Sequence, residues 1–295
     1  MTNSPFGTVL TAMATAFTTE GTLDLDATQA VARHLVAHGH DGLVVSGTTG
    51  ESPTTTVEED ALVLAAVREA VGPDIILVAG VGTNDTKTSV QLATQAAANG
   101  ADGLLLVTPY YNKPGQRGIL NHFRTVVDAT DRPVMLYDVP GRTGSVIELS
   151  TYDELVKDPR IIAVKDAVGD VVRGSRIIDK GLALYSGDDA LNLAWLAHGC
   201  SGFVSVAGHV VGDQLRDLWD SYQAGEVTKA REIFLGILPA IDAIMGGPNY
   251  GATTAKASLQ LLGILDHRFV RSPLSALDDD EYTDLRSVLT AAGLI

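Results

Sequence analysis

Lys165 is the residue whose setting points most directly to chemistry. It ends the apolar run Ile161-Ile162-Ala163-Val164 and is followed by Asp166. An amine at the end of a buried strand is poorly solvated, which lowers its pKa and favours the neutral nucleophile that imine formation requires. The same sequence also suits a lysine that snorkels from a strand end to water or pairs with Asp166. Four other segments carry groups able to work with such an amine. Ser46-Gly47-Thr48-Thr49-Gly50-Glu51 offers two adjacent hydroxyls, and its glycines let backbone amides approach a small carboxylate. A plain tight turn before a helix beginning near Val57 has the same composition. Tyr137 follows Val134-Met135-Leu136 and reads either as a reactive phenol or as a core tyrosine with a satisfied hydroxyl. Arg142, between Gly141 and Gly144, can present a guanidinium fork to a carboxylate or simply sit in solvent. Tyr110 and Tyr111, after Pro109, suit the rim of a site or a packing interface.

The elements that must position these residues show themselves through an internal echo. Gly39-His40-Asp41-Gly42-Leu43-Val44-Val45, Gly100-Ala101-Asp102-Gly103-Leu104-Leu105-Leu106 and Gly199-Cys200-Ser201-Gly202-Phe203-Val204-Ser205 each read as helix end, turn and buried strand. The glycine just after a periodic helix is a C-cap, and an apolar run without alternation is a strand covered on both faces. Further strands fit Val9 to Ala16, Ile75 to Val81, Val134 to Tyr137, Ile161 to Val164 and Ala183 to Tyr185. Amphipathic helical stretches alternate with them, the last beginning at Asp213. Eight such pairs predict an α/β fold, a closed (β/α)8 TIM barrel, with its active site at the carboxyl ends of the strands. After Gly225 the strand signal stops. The expected organisation is a catalytic barrel over residues 1–224 and a C-terminal helical appendage over 225–295, with Gly246-Gly247-Pro248 and Pro273 as breaks.

Other features carry less. His34, His38 and His40 have a spacing that suits a metal, but they fall at the end of the first helix, on the barrel face opposite the expected site, so no metal is expected. Ser186-Gly187-Asp188-Asp189 resembles a phosphate loop in outline, yet two adjacent acids repel phosphate, and a helix cap with a substrate-loop role fits better. Lysine and arginine number 21 against 36 acids, a formal charge of −15, which disfavours nucleic acid and anionic membrane as partners. A single cysteine, Cys200, suits a reducing compartment, and the first residues lack a basic, apolar export signal, so a cytoplasmic protein is expected.

Taken in order and spacing, G-T-T-G-E, T-P-Y-Y-N-K-P, Y-D-V-P-G-R-T-G, V-K-D and S-G-D-D resemble the dihydrodipicolinate synthase branch of the pyruvate-dependent lyases, a family that also contains N-acetylneuraminate lyase. The resemblance covers essentially the whole chain, including Lys256-Ala257 in the helical tail. It implies that Lys165 forms an imine with pyruvate, and that the resulting enamine attacks aspartate semialdehyde without a cofactor. It further implies a proton relay of Tyr137, Thr48 and Tyr111, with Tyr111 reaching into a neighbouring subunit of a homotetramer. Thr49 matches the residue that holds the pyruvate carboxylate, Arg142 the one at the entrance for the semialdehyde carboxylate, and Gly187 and Val204 backbone positions lining the pocket. Another pyruvate lyase, acting on a sialic acid or a sugar-acid aldehyde, is the alternative. The chain departs from lysine-inhibited bacterial members at Val57 and Asp60, where those carry histidines, while Asn84 and Tyr110 still match. The loop Ser205-Val206-Ala207-Gly208-His209 also differs from several relatives in detail.

Overall fold

A computed structural model describes residues 4–246 and 251–295. Its strands are β1 (Val9–Ala12), β2 (Gly42–Val45), β3 (Ile76–Gly80), β4 (Gly103–Val107), β5 (Val134–Asp138), β6 (Ile161–Asp166), β7 (Ala183–Ser186) and β8 (Gly202–Ser205). All neighbours are parallel and follow chain order, and β8 returns to β1 through Leu10↔Val204, so the barrel is closed. The helices are α1 (Leu25–Ala37), α2 (Val57–Val71), α3 (Thr86–Ala98), α4 (Gln116–Val127), α5 (Pro140–Thr143), α6 (Leu149–Leu155), α7 (Val171–Ile178), α8 (Asn192–Ala197) and α9 (Gly208–Gln223). Three more, α10 (Val227–Met245), α11 (Ala252–Leu261) and α12 (Asp279–Ala291), follow the last strand, and α10 packs along α9.

Local chemistry explains the boundaries. The three echoed glycines, Gly39, Gly100 and Gly199, have φ of 81°, 86° and 79°, the left-handed conformation that ends a helix before a strand. Asp24, Asp85 and Asp170 cap α1, α3 and α7 by accepting from backbone amides, and Thr56 with Glu59 forms a capping box at α2. Strand alternation then divides the core in two. Leu10, Val44, Val78, Leu105, Met135, Ala163, Tyr185 and Val204 fill the barrel interior, and the opposite faces pack against the helices. At the amino ends of the strands Phe6 closes the interior, its amide donating to the Tyr185 hydroxyl at 3.0 Å.

Three differences from the sequence reading go beyond one or two residues at an element's end. The strand expected from Val9 to Ala16 ends at Ala12. Beyond it the chain leaves the barrel wall, and the Ala14 and Ala16 amides donate to His209 Nε2 and Thr28 Oγ1 instead. The helix expected from Asp213 begins at Gly208 and continues through a non-helical Val211. A short helix, α5, carries Arg142 where a loop was expected. Of the expected break, Gly246 ends α10, while Gly247 and Pro248 lie outside the described residues.

Candidate active site

Strands β5 and β6 fix the centre. Their register sets Tyr137 opposite Lys165 and Asp138 opposite Asp166. Successive side chains point to opposite faces, so Tyr137 and Lys165 turn into the barrel mouth and the two aspartates turn outward. Lys165 is 4% exposed, and its Nζ stands 4.4 Å from the centroid of the Tyr137 ring. Burial lowers its pKa to about 8; the field of Asp189 opposes the shift and that of Arg142 adds to it. No carboxylate forms an ion pair with it among the described residues. Asp166, the partner that a structural lysine would take, is instead shared with Asp138 by Arg173, at 3.3 and 2.7 Å. The Tyr152 hydroxyl donates to Asp138, the Val168 amide donates to Asp166, and Arg173 also donates to the Ile147 carbonyl. Arg173 therefore ties β5 to β6 one residue beyond the Tyr137–Lys165 pair, on the outer face. Burial raises the Asp138 carboxyl to about 6 even beside that guanidinium.

Above this pair lies a cavity of about 340 Å³ whose walls include Thr48, Thr49, Tyr137, Arg142, Lys165 and Gly187. Asp188, Val206 and Gly251 also line it. Gly187 is required by space. A Cβ there would lie 3.0 Å from Lys165 Cγ and 2.9 Å from the Asp166 carbonyl oxygen, so only glycine lets the β7 loop lie against the amine. Asp188 caps the turn that follows, accepting from the Ala190 amide. Thr49 is buried and Thr48 partly so. A second cavity of about 340 Å³, between the start of α1 and the chain after α11, holds Asp24, Asp26, Asp266 and His267 but only Lys256 as an amine. That amine is engaged by Glu51, so of these two cavities it is the one above Lys165 that is equipped for imine chemistry.

Two expected site residues are not among the side chains that line this cavity. The Val204 side chain belongs to the packing layer of the barrel interior, and Val206 lines the cavity. Tyr111 is 87% exposed at the rim, outside the cavity walls. Its φ is 70°, and that of Lys113 is 45°. Among the described residues the other non-glycine positive φ values are Ser46 at 54° and Glu51 at 61°, either side of Thr48 and Thr49. Among the described residues, left-handed non-glycine backbone is thus confined to the two loops that carry candidate site residues, as expected where surrounding structure holds a functional geometry.

The histidines of the first helix are engaged by protein. His34 bonds the His209 carbonyl, His38 bonds Asp213, and His40 lies between Thr11 Oγ1 and the Leu35 carbonyl. Asp60 is buried in α2, where Thr55 Oγ1 donates to it at 2.9 Å. The Tyr110 hydroxyl bonds the Asn84 backbone. Sequence reasoning missed Arg173, Asp138 and the Glu51–Lys256 pair; a signal was present only for the first two, in carboxylates that directly follow Tyr137 and Lys165.

Comparison with known proteins shows the family to which the chain belongs. The model of the dihydrodipicolinate synthetase family matches residues 5–292. The chain belongs to this family. A 4-hydroxy-tetrahydrodipicolinate synthase of Kineococcus radiotolerans is 51% identical over 291 residues, covering 98% of this chain and 94% of that one. One from Mycolicibacterium paratuberculosis is 53% identical over 261 residues, 88% of this chain and 86% of that one. Among solved structures, a dihydrodipicolinate synthase of Bacillus anthracis superposes with a TM-score of 0.93 at 39% identity, covering 99% of both chains. A family member from Cyanidioschyzon merolae, solved with lysine bound, gives 0.92 at 37% identity, covering 98% of this chain and 99% of that one.

Proposed function

We propose that this chain is a class I aldolase-type lyase, a 4-hydroxy-tetrahydrodipicolinate synthase of lysine and diaminopimelate biosynthesis. It condenses pyruvate with L-aspartate 4-semialdehyde. The observation that carries the reading is a buried lysine with a lowered pKa, facing a tyrosine, in a cavity that also presents two threonines and an arginine. The neutral Lys165 amine adds to the ketone carbon of pyruvate, and loss of water leaves the imine. Loss of a methyl proton gives the enamine, whose carbon attacks the aldehyde of the second substrate. The amine of that substrate then attacks the imine carbon, closing the ring and releasing Lys165. Tyr137 and Thr48 move protons at these steps, because held hydroxyls spare the recruitment of water. Thr49 holds the pyruvate carboxylate, with backbone at Gly187 and Val204 lining the pocket, and Arg142 takes the semialdehyde carboxylate. The chemistry needs no cofactor or metal, since the enamine supplies the carbanion equivalent.

Borohydride with pyruvate will add one pyruvate-derived mass per chain, on Lys165. An adduct elsewhere, or none while the enzyme turns over, would refute the mechanism.

Tyr111 completes the relay of a neighbouring subunit in a homotetramer built as a dimer of dimers. Its exposure and left-handed backbone at the rim support this assignment. Mixing Tyr111→Phe with Lys165→Ala should restore part of the lost activity once subunits exchange; no recovery despite proven exchange would place Tyr111 outside the relay. The protein acts in the cytoplasm; among the described residues no helix is long and apolar enough to cross a membrane. Feedback by lysine is weak here, because Val57 offers no hydrogen bond and the Asp60 carboxylate is buried against Thr55. Cooperative inhibition matching that of a lysine-sensitive relative assayed alongside would contradict it.

A further inference from the structure

Glu51 and Lys256 take no part in the imine chemistry and line no part of its cavity, yet each is only 1% exposed. Lys256, on α11, reaches across 205 residues of sequence to form an ion pair with Glu51 Oε1. Its Nζ also donates to the Phe269 carbonyl at 3.0 Å and stands 4.4 Å from the centroid of the Phe17 ring. The second oxygen of Glu51 accepts from the Arg271 amide at 2.8 Å. Arg271 in turn grips both oxygens of Glu59 and the Thr54 carbonyl. One buried carboxylate thus fastens the loop after β2 to α11 and to the chain that follows it.

The loop needs such an anchor. Between Gly47 and Ser52 its backbone bonds are local, the Gly50 and Ser52 amides donating to the Gly47 carbonyl and the Glu51 amide to that of Thr48, while the Ser46 hydroxyl at the end of β2 bonds Asp60 of α2. None of the three amides reaches another element. Glu51 holds a φ of 61°, which a non-glycine residue keeps only when its surroundings determine it. Thr49 is two residues away.

We propose that the Glu51–Lys256 pair positions Thr48 and Thr49, so that Lys256 is a positioning residue of the active site despite lying outside it. The kinetic consequence rests on the pyruvate assignment above, whereas the consequence for the loop rests on this geometry alone.

Full-length Lys256→Met and the double variant Glu51→Gln/Lys256→Met test it by two readouts. In hydrogen exchange of the ligand-free protein, a peptide spanning 47–52 should exchange roughly tenfold faster than in wild type, while peptides from β5 and β6 stay unchanged. The pyruvate KM should rise roughly tenfold to a hundredfold with a smaller fall in kcat, and saturating pyruvate should still allow trapping on Lys165. A merely structural pair would lower the melting temperature and leave both the loop exchange and the KM of the folded protein unchanged, and that result overturns the proposal. Should the single variant fail to fold, the double variant, which removes both charges, carries the same measurements. If wild type itself yields no pyruvate adduct on Lys165, the assigned reaction fails, and the exchange of the loop still decides whether the pair holds it.

Discussion

Lys165 and Lys256 make a controlled comparison within one chain. Both are buried, and each ammonium position lies 4.4 Å from the centroid of an aromatic ring, Tyr137 for one and Phe17 for the other. Burial lowers the pKa of both. They differ in partners. Lys256 has the Glu51 carboxylate and a backbone carbonyl to hold its proton in place. The carboxylate next to Lys165 has been turned to the outer face and given to Arg173. Burial alone therefore does not make a lysine nucleophilic; burial with the nearest acid withdrawn does.

The largest effects should separate the two lysines by sign. Lys165→Met should lower turnover by on the order of 10⁴-fold or more, since no other group can form the imine. The same change should raise stability. The pKa falls from 10.5 to about 8 on folding, which corresponds to about 3 to 4 kcal/mol of native-state cost when the amine is charged. Because the folded pKa lies below the unfolded one, that cost is present in full below pH 8 and fades as pH rises towards 10.5. The stabilisation by Lys165→Met should follow the same course. Lys256→Met should do the reverse, destabilising by about 3 to 5 kcal/mol, because it strands the Glu51 charge in the interior. Denaturant melts of both variants at pH 7 check this; a shift of the same sign in both would break the comparison.

How far the sequence foretold these roles depends on distance along the chain. Strand ends and helix caps are local patterns, so the barrel, the inward placement of Lys165 and the cavity segments were legible. The end of β1 was not, because Met13 to Ala16 is as apolar as the strand before it and its departure is decided by acceptors on His209 and Thr28. The start of α9 was hidden by Gly208 and Gly212, poor helix formers that tertiary packing overrides. Arg173 lies 35 residues from Asp138, and Lys256 lies 205 from Glu51. No periodicity links such pairs, so which carboxylate each cation takes is information held only by the fold.

A smaller effect concerns pH. If Lys165 titrates near 8, the rate of adduct formation with pyruvate should rise about tenfold from pH 7 to 9 and then level off, whereas an ordinary lysine would gain about a hundredfold and keep rising. Arg142→Gln should move the midpoint upward, because the guanidinium helps to lower that pKa. Single-turnover trapping across pH measures both. A midpoint that stays fixed in Arg142→Gln would place the cause in burial alone.

The smallest effect extends the same rule to acids. Glu51 and Asp60 are both buried, at 1% and 7% exposure, but Glu51 has Lys256 while Asp60 has only hydroxyls, with Thr55 donating to it. Burial raises the Asp60 carboxyl to about 6, against the lowering by Thr55 and Ser46. A folded pKa above the unfolded 3.8 means that the native state binds more protons between these values, so stability declines as pH rises from about 4 to 6. Asp60→Asn keeps an oxygen for Thr55 and removes the charge. It should stabilise the protein by about 1 kcal/mol at pH 7, below the full linkage value because the new amide group needs an acceptor of its own. The gain should vanish near pH 4, where the wild-type carboxyl is already neutral. Melts of the two proteins at pH 4 and pH 7 give the difference directly, and an equal gain at both would show that ionisation of Asp60 is not its source.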